Sequence, residues 1–256
     1  EILKCERMNL YMNFDRMLSK YEIKILKEFI HRRISHEPIQ YILGKASFFG
    51  SEFIVCKSVL IPRPETELLV QKILEDIKDS GKKEVSVFEI GAGTGCISIA
   101  VAKGLEKINI GYEIFSIDRS KDAIKNAEQN QKLNAVNNKK LKFYCKDVFD
   151  IDKLNKSFDY IVSNPPYISN ELYIDLPPEI KDNEPDLALT DFGDGLEFYK
   201  RILMIASDEK FSGKVFCEIG YGQKNKIEML LKKNNFSQYF FLKDYNNINR
   251  ILIAKK

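Results

Sequence analysis

Residues 85–95 read Val-Ser-Val-Phe-Glu-Ile-Gly-Ala-Gly-Thr-Gly, and this stretch decides the fold. Its first half is a short, mostly apolar run of the length of a buried strand, and its glycines allow the backbone to turn sharply and to approach a ligand closely. A helical pattern follows from Cys96. The spacing is G-x-G-x-G and differs from the G-x-G-x-x-G fingerprint that binds a pyrophosphate. The alternative interpretation is an ordinary strand-to-helix turn that contains glycines.

From this stretch to the end of the chain, strand patterns alternate with helix patterns. Such alternation is typical of a parallel sheet with helices on both faces. The last two strands are too close for a crossover helix, so they must pair antiparallel. We therefore predict an α/β fold with a doubly wound, seven-stranded, mostly parallel sheet and an antiparallel last strand. The predicted strands are 85–90, 112–117, 141–145, 158–163, 215–219, 239–243 and 250–254, and the predicted helices are 96–105, 120–133, 196–207 and 224–233.

The residues before the sheet have a different pattern. Residues 1–36 are predicted to be helical, with a capping box at Ser19 and Glu22 and a stop at Pro38. A β-hairpin about Gly50-Ser51 and a helix from about Glu65 to Lys78 follow. The predicted domains are therefore a small N-terminal helical domain at 1–45, a hairpin linker at 46–62 and the sheet domain at 63–256. Because the chain begins with Glu, we expect its native N-terminus to be missing.

Composition excludes several classes of protein. The chain has 256 residues with a net charge of +3, and residues 1–57 hold the whole surplus, with 10 basic and 7 acidic residues. So small an excess disfavours a protein that tracks nucleic-acid phosphates. No apolar run reaches the length of a membrane span, and no signal peptide is visible. The five scattered cysteines and two histidines predict no metal site and no disulfide framework, so a cytoplasmic location is expected, or an organellar one if a missing N-terminus carries a transit peptide.

Two acidic residues follow the strands next to the glycine loop. Asp118 ends the strand after the loop, where a carboxylate can accept both hydroxyls of a ribose. Asp147 follows the next strand and can meet an adenine amino group, while Val148 packs against the ring. Each acid has an alternative interpretation, Asp118 as a helix cap and Asp147 as part of a plain turn. Together with the loop they predict a pocket that binds adenosine but has no phosphate-binding motif, which fits S-adenosylmethionine.

The strand 158–163 runs directly into Asn164-Pro165-Pro166-Tyr167. Two prolines fix the backbone and remove two N–H donors, which leaves carbonyl oxygens and the Asn164 side-chain oxygen free to accept hydrogen bonds. A planar NH2 group has two protons to donate to such acceptors, and the Tyr167 ring can lie flat on an amide or base, or against a sulfonium cation. The alternative interpretation is a Pro-Pro turn that merely ends a strand.

This turn predicts methyl transfer to nitrogen. An amide nitrogen is a poor nucleophile, so holding it in line with a sulfonium methyl group supplies proximity and orientation. Acceptors on its N–H bonds favour the nitrogen as it becomes positive, which stabilises the transition state more than the ground state. Asn164 is the predicted central residue, and no strong general base is needed.

The loop, Asp118 and the Asn-Pro-Pro-Tyr turn resemble those of class I S-adenosylmethionine-dependent N-methyltransferases that methylate amino groups. Further segments resemble the peptide chain release factor glutamine N5-methyltransferases (PrmC/HemK family), and the similarity covers essentially the whole chain. These segments are Glu37–Gly44, Phe48-Phe49-Gly50, Val59–Glu67, Glu184-Pro185, Ala188-Leu189, Gly193–Leu196, Glu218-Ile219-Gly220 and Gln223.

The resemblance implies transfer of a methyl group to the glutamine nitrogen in the Gly-Gly-Gln motif of release factors. It implies that Gly91, Ala92, Gly93, Thr94, Gly95, Asp118, Asp147, Val148 and Asn164 bind S-adenosylmethionine, the cofactor that becomes S-adenosylhomocysteine. Asn164, Pro165, Pro166 and Tyr167 would bind the glutamine, with Asn164, Pro165 and Tyr167 as the catalytic set, and the segment 63–66 would line the same cleft. The N-terminal domain would engage the release factor.

Two rival functions remain open at this point. One is an N6-adenine or N2-guanine nucleic-acid methyltransferase, which would flip a base into the same pocket. Its usual sign is an added basic region, whereas residues 58–256 carry 30 basic and 30 acidic residues. The other is a binding module that keeps the fold without the chemistry. A release-factor substrate with no stable nucleic-acid or membrane partner is the expected case.

Overall fold

The seven-stranded sheet forms around the strand that contains residues 85–90. The structure is a computed structural model that describes all of residues 1–256. Its helices are α1 (Arg7–Met12), α2 (Lys20–Ile34), α3 (Ile39–Leu43), α4 (Pro64–Asp79), α5 (Cys96–Lys107), α6 (Lys121–Leu133), α7 (Asn170–Ile174), α8 (Pro178–Lys181), α9 (Asp186–Leu189), α10 (Glu197–Ala206) and α11 (Lys224–Lys233). Its strands are β1 (Lys45–Phe48), β2 (Ser51–Ile54), β3 (Glu84–Ile90), β4 (Gly111–Asp118), β5 (Leu141–Cys145), β6 (Tyr160–Ser163), β7 (Lys214–Glu218), β8 (Gln238–Lys243) and β9 (Asn249–Lys255).

The sheet has the strand order β5-β4-β3-β6-β7-β9-β8. The first five strands in that order are parallel, and β9 runs antiparallel to both of its neighbours. This confirms the predicted mostly parallel sheet with an antiparallel last strand. The chain leaves β3 toward β4 and β5 on one side, and later enters β6 and β7 on the other. The boundary between β3 and β6 is therefore a topological switch point, where α/β sheets bind their ligands.

Two apolar cores cover the two faces of the sheet. One core contains the buried faces of α4 and α5, and the other contains those of α10 and α11. Phe48 and Phe53 of the β1–β2 hairpin belong to the first core and are almost completely buried. The hairpin also exchanges hydrogen bonds with α6, where the Asn130 amide bonds the backbone N–H and carbonyl of Ile54 at 2.7 and 3.0 Å. The hairpin is thus packed into the sheet domain and does more than connect two units.

The N-terminal helix α2 has the predicted capping box, in which Glu22 N–H donates to the Ser19 hydroxyl and Ser19 N–H donates to the Glu22 carboxylate. None of its residues is buried. It contacts the sheet domain through an ion pair of 2.8 Å between Arg33 and Glu179 of α8. None of the helices is long and apolar enough to span a membrane.

Several sequence predictions need correction. The hairpin turn is Phe49-Gly50 rather than Gly50-Ser51, because Ser51 pairs with Phe48 and both turn residues have positive φ, as a tight two-residue hairpin turn requires. The helix before Pro38 already ends at Ile34, and strand β6 begins at residue 160 rather than 158. The short helices α3, α7, α8 and α9 were not predicted, because helices of four or five residues contain too little of a helical repeat to be recognised.

Candidate active site

A cavity lies at the carboxyl ends of β3, β4, β5 and β6, at the topological switch point. The strand ends supply the segments 90–94, 117–120, 146–148 and 163–166 to its lining. The opposite wall comes from residues 58–60, Pro62, Arg63 and Thr66, and from Pro185, Leu187 and Ala188 around α9. The structure thus brings together the glycine loop, the two acidic strand ends and the Asn-Pro-Pro turn. Two of the predicted site residues, Gly95 and Tyr167, lie outside this lining.

The glycine loop presents backbone to the cavity. The N–H groups of Gly91 and Ala92 both donate to the carbonyl of Ile117 at 2.9 Å, which ties the loop to β4. Gly93 has a φ of +52° and open space where a Cβ would stand, so its backbone can approach a ligand closely. Gly95 differs, since a Cβ there would stand 2.9 Å from the Phe143 ring. Gly93 therefore faces the cavity, whereas Gly95 is required for packing at the start of α5.

Asp118, the last residue of β4, links the glycine loop to the start of the next helix. Its carboxylate accepts one hydrogen bond from Gly93 N–H at 2.9 Å and another from Ser120 N–H at 2.8 Å. Burial raises the pKa of Asp118, and these two backbone hydrogen bonds act against that rise. The cap of α6 is Ser120, whose hydroxyl accepts from Ala123 N–H. Because each carboxylate oxygen keeps a lone pair, Asp118 can still accept hydrogen bonds from a ligand.

Asp147 and Val148 form the neighbouring wall. Asp147 precedes a 3-10 turn at Val148–Asp150, and its carboxylate accepts from Phe149 N–H at 3.0 Å. Arg119 lies 3.5 Å from the same carboxylate. Val148 is buried and lines the cavity. A carboxylate beside an apolar surface can bind a flat, polar-edged ring, so this wall fits a base.

Asn164 follows β6 and faces the cavity from the other side of the switch point. Its Nδ2 donates to the Thr66 hydroxyl at 3.1 Å, and that hydroxyl donates to the Glu218 carboxylate at 2.6 Å. The Asn164 side-chain oxygen accepts no hydrogen bond from the protein. Pro165 and Pro166, which also line the cavity, contribute no N–H donor. The turn therefore presents an acceptor without a competing donor.

Tyr167 lies behind this turn. Its hydroxyl donates to Glu218 Oε1 at 3.3 Å, and its carbonyl accepts from the Gln223 side chain at 2.9 Å. Its ring packs against the core that contains α10 and α11. Tyr167, the end of the turn, is therefore held by two hydrogen bonds and by packing against this core.

An ion pair closes the wall opposite the strands. The buried carboxylate of Glu184 bonds the Arg63 guanidinium and accepts from Ile61 N–H at 3.2 Å. It joins the segment before α4 to the segment before α9, two parts of the chain that are far apart in sequence. Of the segment 63–66, which the resemblance places in the cleft, Arg63 and Thr66 line the cavity, whereas Pro64 and Glu65 do not.

Sequence reasoning missed the role of Glu218 beneath the turn. Its position offered one signal, because Glu218 ends β7 and carboxyl ends of parallel strands meet at the ligand-binding edge. The contact with Thr66 offered none, since it joins residues 152 positions apart.

A sheet of this order, with a glycine loop, an acidic end on the neighbouring strand and an Asn-Pro-Pro-Tyr turn at the switch point, defines a class I S-adenosylmethionine-dependent methyltransferase. Residues 81–235 match the family model described as a methyltransferase domain. The fold is similar to that of the N-terminal domain of human METTL16, with a TM-score of 0.58 and 16% identity over 81% of this chain and 76% of that one.

Full-length relatives define the group more narrowly. The release factor glutamine methyltransferase of Fusobacterium nucleatum is 39% identical over 100% of this chain and 71% of its own length. That of Thermodesulfovibrio yellowstonii is 36% identical over 100% of this chain and 89% of its own. Residues 1–44 match the model of the PrmC N-terminal domain. The chain belongs to the family of release factor glutamine methyltransferases.

Proposed function

We propose that this protein transfers the methyl group of S-adenosylmethionine to the side-chain amide nitrogen of the glutamine in the Gly-Gly-Gln motif of peptide chain release factors. The observation that carries the proposal is the position of Asn164. Its open side-chain oxygen and the glycine loop line one cavity, on neighbouring strands. Membership of the family supports the choice of substrate.

The glycine loop, Asp118, Asp147 and Val148 form one half of the cavity, the cofactor half. These residues fit S-adenosylmethionine. The Gly93 backbone leaves open space at the cavity, the Asp118 carboxylate keeps free lone pairs for ribose hydroxyls, and Val148 offers an apolar surface to adenine. We assign cofactor binding to Gly91–Gly95, Asp118, Asp147, Val148 and Asn164, with Gly95 acting through the shape of the loop. When bound, S-adenosylmethionine supplies a methyl group activated by its sulfonium charge.

The other half, the acceptor half, is the turn that begins at Asn164. It binds and orients the glutamine amide. Asn164 Oδ1 and the free carbonyls of the Pro165-Pro166 turn accept the two N–H bonds of the substrate amide, which fixes the plane of that amide. Accepting these bonds favours the nitrogen as positive charge develops on it. Tyr167 anchors the end of the turn, and contact of its ring with the substrate remains a prediction. No side chain has to remove a proton before methyl transfer.

The N-terminal helices are the proposed contact with the release factor. Residues 1–57 carry the whole positive surplus of the chain, and α2 exposes apolar side chains such as Ile30 and Ile34. The sheet domain is charge-balanced, which disfavours a nucleic-acid substrate.

Labelled S-adenosylmethionine distinguishes the substrates. The protein is incubated with a release factor, with rRNA or with DNA, and the products are digested and analysed by mass spectrometry. We expect a gain of one methylene on the Gly-Gly-Gln peptide and none on nucleic acid. Labelled nucleic acid beside an unlabelled release factor would overturn the proposal in favour of the base-methylating alternative.

A further inference from the structure

A buried chain of hydrogen bonds runs from the cavity into the core beneath the amide turn. Asn164 donates to Thr66 at 3.1 Å, and Thr66 donates to Glu218 at 2.6 Å. Thr66 and Glu218 are each only 2% exposed. The three residues come from the end of β6, the first turn of α4 and the end of β7. A contact that joins three separate segments at the cavity points to more than local capping.

The direction of this chain follows from donor and acceptor chemistry. Both Glu218 oxygens accept hydrogen bonds, one from the Tyr167 hydroxyl and the other from Thr66, so the single Thr66 proton is directed toward Glu218. The Thr66 oxygen can then only accept from Asn164, and the Asn164 NH2 group must face it. We propose that Thr66 and Glu218 are positioning residues that fix the Asn164 amide with its oxygen toward the substrate.

The orientation matters for the chemistry, and here the inference rests on the proposed function. With the oxygen toward the cavity, Asn164 accepts an N–H bond of the substrate amide. If the side chain were flipped, its NH2 group would face the NH2 group of the substrate, and two donors would meet. The flipped state leaves the substrate N–H without its acceptor, so every fraction of the population in that state is lost for turnover.

Three substitutions test the role of Thr66. Thr66→Val has a similar shape and removes the hydrogen bonds of Thr66 to Asn164 and to Glu218. Asn164 Oδ1 is then no longer held toward the substrate N–H. We expect kcat to fall about 10- to 100-fold, the effect of losing that one hydrogen bond to a nitrogen that becomes positively charged. S-adenosylmethionine affinity, measured by calorimetry, should stay unchanged. Thr66→Ser keeps the hydroxyl and should restore most of kcat. As a matched control, Tyr160→Phe deletes a partly buried hydroxyl at the other end of β6, which bonds Asp76 at 3.0 Å, and should leave kcat unchanged.

Equal kcat values for Thr66→Val and wild type would overturn the proposal. So would an equal loss in the Ser and Val variants, because the hydroxyl would then not be the operative group.

The part played by Glu218 is tested by coupling. A glutamine at this position can offer either an oxygen or an NH2 group to Thr66, so Glu218→Gln no longer fixes the direction. The oxygen of a glutamine can still accept from the Tyr167 hydroxyl, so the change falls on the contact with Thr66. We expect it to lower kcat in the wild-type background and to have little further effect beside Thr66→Val, since both substitutions then act on the same contact. The same loss in both backgrounds, or none in either, would show that Glu218 does not act through Thr66.

A readout that needs no substrate separates this inference from the proposed function. The side-chain amide resonance of Asn164 is assigned by its disappearance in Asn164→Asp and followed by NMR in the intact protein. We expect a hydrogen-bonded amide in wild type and Thr66→Ser, and a shifted, faster-exchanging one in Thr66→Val. An amide unaffected by Thr66→Val would overturn the positioning role of Thr66. If wild type does not methylate a release factor, only the proposed function fails, and the resonance still tests whether Thr66 orients Asn164.

Discussion

The two halves of the cavity are built from different parts. The cofactor half consists mainly of backbone, in a glycine loop tied to β4 by two N–H bonds to Ile117. The acceptor half depends on side chains from three distant segments, at Thr66, Asn164 and Glu218. Each half has a buried glutamate on one of its strands: Glu89 is the last residue but one of β3, and Glu218 is the last residue of β7. Both oxygens of Glu218 accept hydrogen bonds, whereas Glu89 leaves Oε1 without a partner.

This difference indicates where the protein is sensitive to change. Backbone contacts survive most substitutions, so the cofactor half should lose binding only when its carboxylate or its packing changes. The acceptor half has one central side chain, and its loss should stop turnover while leaving the cofactor bound. The comparison can be tested from both sides.

The largest effect is expected at Asn164. Asn164→Ala removes the acceptor that stabilises the developing charge, so kcat should fall by about 10²–10³-fold or more, the range measured when one such group is removed. Because Gly91–Thr94, Asp118, Asp147 and Val148 also line the cofactor half of the cavity, S-adenosylmethionine should still bind, with only a small loss of affinity in calorimetry. Asn138→Ala, at an exposed position after α6, is the control. Retained turnover in Asn164→Ala would remove the distinction between the two halves.

The next effect concerns Glu89 and pH. Burial raises the pKa of Glu89 from 4.5 to about 7, against the hydrogen bonds it accepts from Ser98 and Ser116. Because the folded state binds this proton more tightly than the unfolded state, stability should fall as pH rises from about 4.5 to about 7. The loss is about 3 kcal/mol, from 1.4 kcal/mol per pKa unit.

Glu89→Gln should remove this part of the pH dependence. The free energy of unfolding is measured by denaturant titration across that pH range for both proteins. Glu84→Gln, at the exposed start of β3, serves as the control and should keep the wild-type profile. Parallel profiles for wild type and Glu89→Gln would mean that the glutamate is not a buried, perturbed acid.

A smaller effect is expected at Asp118. Removing a carboxylate that accepts ligand hydroxyls costs about 1.5–3 kcal/mol, so Asp118→Ala should weaken S-adenosylmethionine binding about 10- to 100-fold. Some of this loss comes from the loop itself, because Gly93 N–H also loses its partner. Asp122→Ala, on the exposed side of α6, is the matched control. Unchanged calorimetric affinity in Asp118→Ala would contradict the assignment.

Sequence reasoning reached the two halves to different extents. Local patterns predict the mostly parallel sheet and the strand ends near Gly93 and Asp118, because a strand, a glycine turn and a helix are adjacent in sequence. The contact between Thr66 and Glu218 has no local signal, since it exists only after α4 packs against β7. The same holds for Tyr167: the two preceding prolines fix the turn, but only the packed core determines that its ring lies behind the cavity wall.

The smallest predicted effect distinguishes packing from binding within the glycine loop. Gly95 and Gly81 both have positive φ, at +76° and +68°, so alanine strains the backbone at both positions. At Gly81 a Cβ meets nothing, whereas at Gly95 it would stand 2.9 Å from Phe143 and 3.1 Å from Ala127. Gly95→Ala should therefore cost about 1–2 kcal/mol more stability than Gly81→Ala, the range of a modestly overpacked core. Denaturant unfolding of the two variants measures this difference. An equal cost at both positions would show that the loop is held by its backbone conformation alone, without the support of β5 and α6.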